Sequence, residues 1–337
     1  MKKGLLLLIL IAVIAAGIYA YGKINQNPAG PVKITFPYAL GSTSELIGDI
    51  MKFYKIDTKH GLEVTFVGAN PGDLERQEFD GTIKGLLIMS PISAMDSTLK
   101  GRPMKILSPV TYMPYIVAVR SDSTIKNLED LSGKKVGIIP KAVGAYDSLD
   151  IIFKSVGIDP EKSFSLTFGS IPEMVNLLAK GQVDAAVVTY PNAAALFSSG
   201  QFRSIANLED IWEKNENGLP HAFIVTTAFD DWYQIPANRD AAKRFFEAYF
   251  ETIALMRSNP EVITEDANPG IAAYLKANNL TTDASKELLR EKITSFLPKS
   301  WDTQTTSAIN LLLKRAQEAG YLPNQTLPDI IVGQGQL

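Results

Sequence analysis

"GTIKGLLIMSP" (Gly81–Pro91) and "GQVDAAVVTYP" (Gly181–Pro191) repeat one pattern at a distance of one hundred residues. Gly81, Ile83, Leu87, Ile88 and Pro91 stand where Gly181, Val183, Val187, Val188 and Pro191 stand. In each, an apolar run between a glycine and a proline reads as a short strand covered on both faces. The proline then suits the first turn of a helix, where its missing N–H costs nothing. A second pair precedes these. "PYALG" (Pro37–Gly41) and "PKAVG" (Pro140–Gly144) share Pro, Ala, an apolar residue and Gly. One such match is weak, because glycine–strand–proline punctuation is common to α/β units. Two matched loops in the same order predict two lobes of one architecture.

Outward from these loops the chain alternates. "VKITFPYALG" (Val32–Gly41) reads as strand and loop, followed by a helix with Leu46, Ile47, Ile50, Met51 and Tyr54 at helical spacing. Ser42 and Glu45 match a capping box at its start. "LEVTFV" and "GLLIMSP" are further strands, the latter feeding a helix from Ser90 with Pro91 in its first turn. The order recurs as "KKVGIIPKAVG", a helix from "AYDSLDIIF", the strand "FSLTF", the helix "SIPEMVNLLAKG" with Ser170 and Glu173 as a capping box, and the strand "VDAAVVTYP". Alternating strands and helices imply parallel sheets with helices on their faces. The helix after "PKAVG" is unusual. No Ser, Thr, Asp or Asn lies between Lys141 and Tyr146, so no side chain is at hand for its first N–H groups.

Two extended stretches, Ser108–Ser123 and Gly218–Asp231, lead into and out of the second unit. A long amphipathic helix with Phe245, Phe246, Tyr249, Ile253 and Met256 follows. The expected fold is thus α/β and two-lobed, with two crossing hinge strands and C-terminal helices. The expected division is 32–117 plus 222–330 for one lobe and 118–221 for the other. Residues 1–21 form a signal peptide or an N-terminal membrane anchor, since Lys2-Lys3 precede a run from Gly4 to Ala20 of intermediate length. Residues 22–31 read as a linker. An exported chain, held outside the cytoplasmic membrane and either released or anchored by residues 4–20, is expected.

Composition narrows the chemistry. The 337-residue chain is 46% hydrophobic and 20% charged, as globular proteins are. Net charge is −3, and residues 1–30 hold three lysines and no acid, which leaves −6 for the remainder. An acidic body is a poor nucleic-acid binder. Zero cysteines exclude thiolate chemistry, and two histidines make a multi-histidine metal site improbable. No phosphate-binding loop, dinucleotide fingerprint or nucleophile elbow is present. The chain therefore reads as a binder, not an enzyme, with neither cofactor nor metal.

Ligands of open α/β sheets lie beyond the carboxyl ends of the strands. The loops 37–43, 89–92, 140–146 and 189–192 are then the candidate site. It would offer helix N-termini at Ser42, Ser90, Ala145 and Pro191, close backbone approach at Gly41 and Gly144, and aromatic walls from Tyr38, Tyr112, Tyr115 and Tyr190. His221, beside a crossing strand, is a further candidate contact, against a purely structural role.

"VKITFPYALGS", "NLEDLSGKKVGI", "LLAKGQVDAAVV" and "FFEAYFETIALMRSNPE" together resemble the substrate-binding proteins of ABC importers. The branch is the nitrate, sulfonate, taurine and thiamine-precursor group, with a type II periplasmic-binding fold, and the similarity runs from about Val32 to about Pro260. The resemblance implies ligand contacts at Tyr38, Leu40, Gly41, Ser42 and Thr43, at Ala142, Val143, Gly144 and Ala145, and at Thr189, Tyr190 and Pro191. It implies capture of a small solute (a sulfonate, a nitrate-like anion or a heteroaromatic such as a thiamine precursor) by a monomer that closes and docks on a permease with its ATPase. Departures are Lys84, where many relatives are acidic, the hydroxyl-free loop around Gly144, and the missing lipid-bearing cysteine. A membrane-anchored ligand sensor and an enzyme of the same fold are the alternatives. The thiamine-pyrimidine synthases that resemble this branch rely on a cysteine-rich segment, which this chain lacks.

Overall fold

The computed structural model describes residues 30–141 and 144–333. The stretch expected as a signal peptide or anchor, nearly all of the expected linker, the loop residues Ala142 and Val143, and residues 334–337 lie outside the described residues. Among those described, no helix is long and apolar enough to cross a membrane.

The first half runs β1 (Val32–Ala39), α1 (Thr43–Phe53), β2 (Leu62–Ala69), α2 (Pro71–Phe79), β3 (Leu87–Met89), α3 (Pro91–Leu99) and β4 (Met104–Tyr112). Two residues later β5 (Tyr115–Arg120) begins, followed by β6 (Lys135–Ile138), α4 (Ala145–Ser155), β7 (Ser165–Phe168), α5 (Ile171–Ala179), β8 (Ala185–Thr189), α6 (Tyr190–Phe197), β9 (Phe202–Asn207) and α7 (Leu208–Asn215). The chain then returns through β10 (Ala222–Phe229) to α8 (Pro236–Ser258), α9 (Pro269–Ala277), α10 (Asp283–Lys292) and α11 (Thr303–Glu318).

The second sheet has the order β7-β6-β8-β5-β9, and the first is built from β1-β2 and β3-β10-β4, with β1 also touching β3. The two orders match strand for strand: β2 with β7, β1 with β6, β3 with β8, β10 with β5 and β4 with β9. In both, the strand beside β3 or β8 runs antiparallel to it and is the one that crosses between lobes. The hundred-residue repeat is therefore a repeat of topology. Its physical basis is burial: β3 and the first four residues of β8 are wholly buried, as the apolar runs require of central strands. The edge strand β7 is only partly covered.

The stretch expected as a single extended connection, Ser108–Ser123, is two strands in different sheets. Pro114 lacks the N–H that a continuing ladder would need. "VDAAVVTYP" is shorter as a strand than its pattern suggests, because Tyr190 already opens α6. The C-terminal helices were expected with the first lobe. They touch both: α9 packs on α1, α10 on α6, and α11 on α3 and on α4.

Candidate functional site

Strand register brings the expected loops to one place. β10 pairs antiparallel with β3 and β4, Val225 opposite Met89 and Ala222 opposite Tyr112, so β3 and β4 end on one edge. The chain leaves that edge at Tyr112 and enters β5 at Tyr115, which pairs with Thr189 at the carboxyl end of β8. Only Met113 and Pro114 separate the carboxyl edges of the two sheets. β6 is parallel to β8 and ends on the same edge, and β1 takes the matching place beside β3. The loops after β1, β3, β6 and β8 thus flank one interlobe region, where open α/β sheets place their ligands.

Four helices open there, and their N-termini differ. Ser90 caps α3 by accepting the Ser93 N–H at 3.0 Å. The other three carry no side-chain cap: Ser42 before α1, Gly144 before α4 and Thr189 before α6. Thr189 is instead turned to the Asn192 amide at 3.0 Å. At α1 the capping box expected of Ser42 and Glu45 is not formed. The Glu45 carboxylate reaches past it to the Gly41 N–H at 2.6 Å, and the buried Ser42 Oγ has no partner. The box at Ser170 and Glu173, on the helix that follows the edge strand β7, does form. Free N–H groups and the helix dipole make the uncapped starts of α1 and α4 attractive to an electronegative ligand atom, whereas at α6 the Tyr190 N–H is bonded to the Pro114 carbonyl and Pro191 has none.

The first-lobe side of the region is tightly built. Gly41 has φ +76°, and a Cβ added there would stand 3.0 Å from Asn278 Oδ1 on the far end of α9. The Tyr274 hydroxyl reaches the Gly41 carbonyl at 3.4 Å. Gly144 differs, with φ −55° and ψ −18°, so its backbone makes no special demand for glycine. Tyr38 lies across its β2 partner Gly68, where a Cβ would be 2.8 Å from the ring. Its hydroxyl is held above the usual range by burial and by the Glu45 and Asp49 carboxylates. Burial also raises Glu45, against the Gly41 hydrogen bond, and pushes Asp49 to about 6 with help from Glu45. Thr43 is buried in the first turn of α1, and Leu40 stands out at 51% exposure.

Other expected contacts are spent on the fold. Tyr190 is buried; its hydroxyl donates to the Leu288 carbonyl at 2.9 Å and its ring meets Phe296 at 5.3 Å. Tyr112 is half-buried against Thr305, and Tyr115 is buried with its ring edge against Phe223. His221 is fully buried at the second crossing, T-shaped against Trp212 at 4.6 Å. Burial depresses its pKa to about 3, and neither ring nitrogen has a partner. A neutral imidazole sealed in this way does not face the interlobe loops. Pro91 and Pro191 are buried in their first helical turns, Ser90 is spent on its cap, and Ala145 packs partly on the core.

One residue was missed. Glu209, in the first turn of α7, is 5% exposed, and its carboxylate accepts the N–H groups of Met113 at 2.9 Å and His221 at 3.0 Å. It clips the two crossings together. Burial raises its pKa well above the usual carboxylate range, against those two hydrogen bonds. "NLED" at 207–210 reads only as a helix start; nothing local marks Glu209 as buried.

The model of the family described as NMT1/THI5 like matches residues 58–263. The chain belongs to that family. No curated protein matches the sequence. Among solved structures, the chain is similar to the periplasmic aliphatic sulphonate binding protein SsuA of Escherichia coli, at 16% identity over 88% of this chain and 90% of that one, TM-score 0.64. It is also similar to the alkanesulfonate-binding protein SsuA of Xanthomonas axonopodis pv. citri bound to MOPS, at 18% identity over 89% and 97%, TM-score 0.63. A third likeness is to the ligand-binding component of an ABC-type import system from Staphylococcus aureus, at 16% identity over 90% and 96%, TM-score 0.60. The NMT1/THI5-like chain thus has the two-lobed type II periplasmic-binding fold expected from its sequence.

Proposed function

We propose that this chain is the extracytoplasmic solute-binding protein of an ABC importer, a binder and not an enzyme. One observation carries the reading: the carboxyl edges of two equivalent sheets meet across two crossings, with uncapped helix N-termini opening between them. Residues 32–117 with 222–330, and residues 118–221, act as the two lobes. Tyr38 to Thr43, Ala142 to Ala145 and Thr189 form the ligand surface. Hinge motion at the crossings closes them on the ligand, and the closed form docks on a permease. The leader directs export and, in the absence of a lipid-bearing cysteine, retains the protein at the membrane if it is not removed.

Charge on the first-lobe side narrows the ligand. Glu45 and Asp49 stand half-buried beside the loop, and ionised carboxylates there oppose a full anion. The uncapped N–H groups still favour an acceptor atom. A neutral heteroaromatic with ring nitrogens or oxygens meets both conditions better than a sulfonate or nitrate. The sulfonate ligands named for the structural relatives are the competing class.

A thermal-shift screen against aminopyrimidines, sulfonates, nitrate and small carboxylates tests this. A ligand at about one hundred times its Kd adds about 2.7 kcal/mol of stability. A shift with pyrimidines is expected. A shift with sulfonates alone would overturn the ligand class, and no shift with any class would overturn the binding role.

A further inference from the structure

The C-terminal segment is anchored firmly in the first lobe. Ile106 on β4 takes the Ile330 carbonyl at 2.7 Å and gives its own carbonyl to the Val332 N–H at 2.9 Å. The Trp301 indole N–H closes the same segment on the Val332 carbonyl at 3.0 Å. From this anchor the segment reaches the second lobe on α6 and α4, the two second-lobe helices whose N-termini open at the candidate site, and at the buried Glu216 beyond α7, where Arg315 on α11 donates to both carboxylate oxygens at 2.8 and 2.9 Å.

The first place is α6. Tyr190 joins Leu288 and Phe296 there, and its own N–H is bonded to the Pro114 carbonyl at 2.8 Å, beside the crossing. This contact sits near the axis about which the lobes would turn, so rotation moves it little. It is also well packed, Tyr190 being 6% exposed.

The second place is α4. Tyr321, just beyond α11, donates to Asp150 Oδ2 at 2.6 Å, an atom that Lys154 Nζ also approaches at 2.6 Å. α4 follows β6, and β6 lies two strands from the crossing strand β5. At about 4.8 Å per strand that is a lever arm of roughly 10 Å. The contact is also incompletely satisfied. Asp150 Oδ1 and the Tyr146 hydroxyl, one helical turn apart, are both buried without a partner. Buried unmade hydrogen bonds weaken an interface relative to water, where both groups would be solvated.

We infer that the C-terminal helices are a third connection between the lobes, with Tyr190–Leu288 as its fixed pivot and Tyr321–Asp150 as a breakable latch that holds α4 in the position seen here. Opening then releases Tyr321 from Asp150 and wets Tyr146, while Tyr190 stays seated.

The chain has no cysteine, so Lys84→Cys and Lys180→Cys supply unique sites for spin labels. Both positions are exposed and precede β3 and β8, at the ends of the sheets remote from the site. Interlobe distances are measured by pulsed electron paramagnetic resonance on the ligand-free chain. Tyr321→Phe, which removes only the hydroxyl, is expected to shift or broaden the distribution relative to the parent, and Tyr321→Ala to do so further. Tyr190→Phe is expected to lower the melting temperature without moving the distribution. Unchanged distributions in both Tyr321 variants, with native circular dichroism, would overturn the latch. A shift in Tyr190→Phe as large as that in Tyr321→Phe would overturn the division into pivot and latch.

Discussion

Glu209 accepts the backbone N–H of His221 at 3.0 Å, and its other carboxylate oxygen takes the N–H of Met113 at 2.9 Å. These are the two points at which the chain passes between lobes, and they lie 108 positions apart in the sequence by their residue numbers. A buried carboxylate from α7 therefore sets the spacing of the hinge. Glu209→Leu leaves two buried donors without an acceptor, at about 1–3 kcal/mol each. We expect a loss of roughly 3 kcal/mol or more in urea denaturation, and a smaller loss for Glu209→Gln. A loss below about 1 kcal/mol in the leucine variant would remove the clip.

Gly41 and Gly144 occupy matching loops but answer to different constraints. Gly41→Ala forces a left-handed backbone and a close approach to Asn278, and is expected to cost about 1–2 kcal/mol. Gly144→Asp is expected to leave the melting temperature nearly unchanged, because its backbone is right-handed. It should nevertheless abolish binding in calorimetry with whichever ligand the thermal screen yields, since the side chain enters the candidate site. Retained affinity would exclude that loop from the site.

His221 makes the protein sensitive to acid. Its folded pKa of about 3 lies below the ordinary 6.5, so the unfolded chain binds the extra proton first. The contribution is complete above about pH 6.5 and is lost as pH falls towards 3, by at most about 1.4 kcal/mol per unit. His221→Leu, which also removes two unpartnered nitrogens, is expected to flatten this slope in melts between pH 6.5 and 4. A parallel slope in the variant would refute the assignment.

Asp49 acts in the opposite sense. Its folded pKa of about 6 lies above the ordinary 3.8, so the folded state holds the proton that the unfolded chain has released. Stability from this group is present below about pH 3.8 and declines as pH rises through 6. Asp49→Asn is expected to raise the melting temperature more at pH 7 than at pH 4. Equal shifts at both values would show that the carboxylate is well solvated.

Closure of two lobes on a ligand predicts compaction. The radius of gyration from solution scattering should fall when a ligand from the thermal screen is added at saturation, and identical curves would contradict a hinge mechanism.

By itself the sequence determined the repeat. Burial on both faces demands apolar runs such as "LLIM" and "AAVV", and the glycines and prolines around them are local signals of turns and helix starts, so the strand–helix order, the matched loops and the box at Ser170 were legible in one dimension. The family resemblance rests on the same local stretches. Tertiary structure decided what side chains do once elements meet. Ser42 has the residue type of a cap, yet Glu45 is drawn to Gly41 instead. Tyr190 has the character of a cleft wall, but α10 arrives to take its hydroxyl. His221 stands beside a crossing in sequence and is sealed behind Trp212 in space. Glu209 and Tyr321 find their partners 96, 12 and 171 positions away, so no window of neighbouring residues contains the interaction. Local preference chooses elements because its causes lie within a few residues; lobe spacing and side-chain availability depend on which distant surfaces are pressed together.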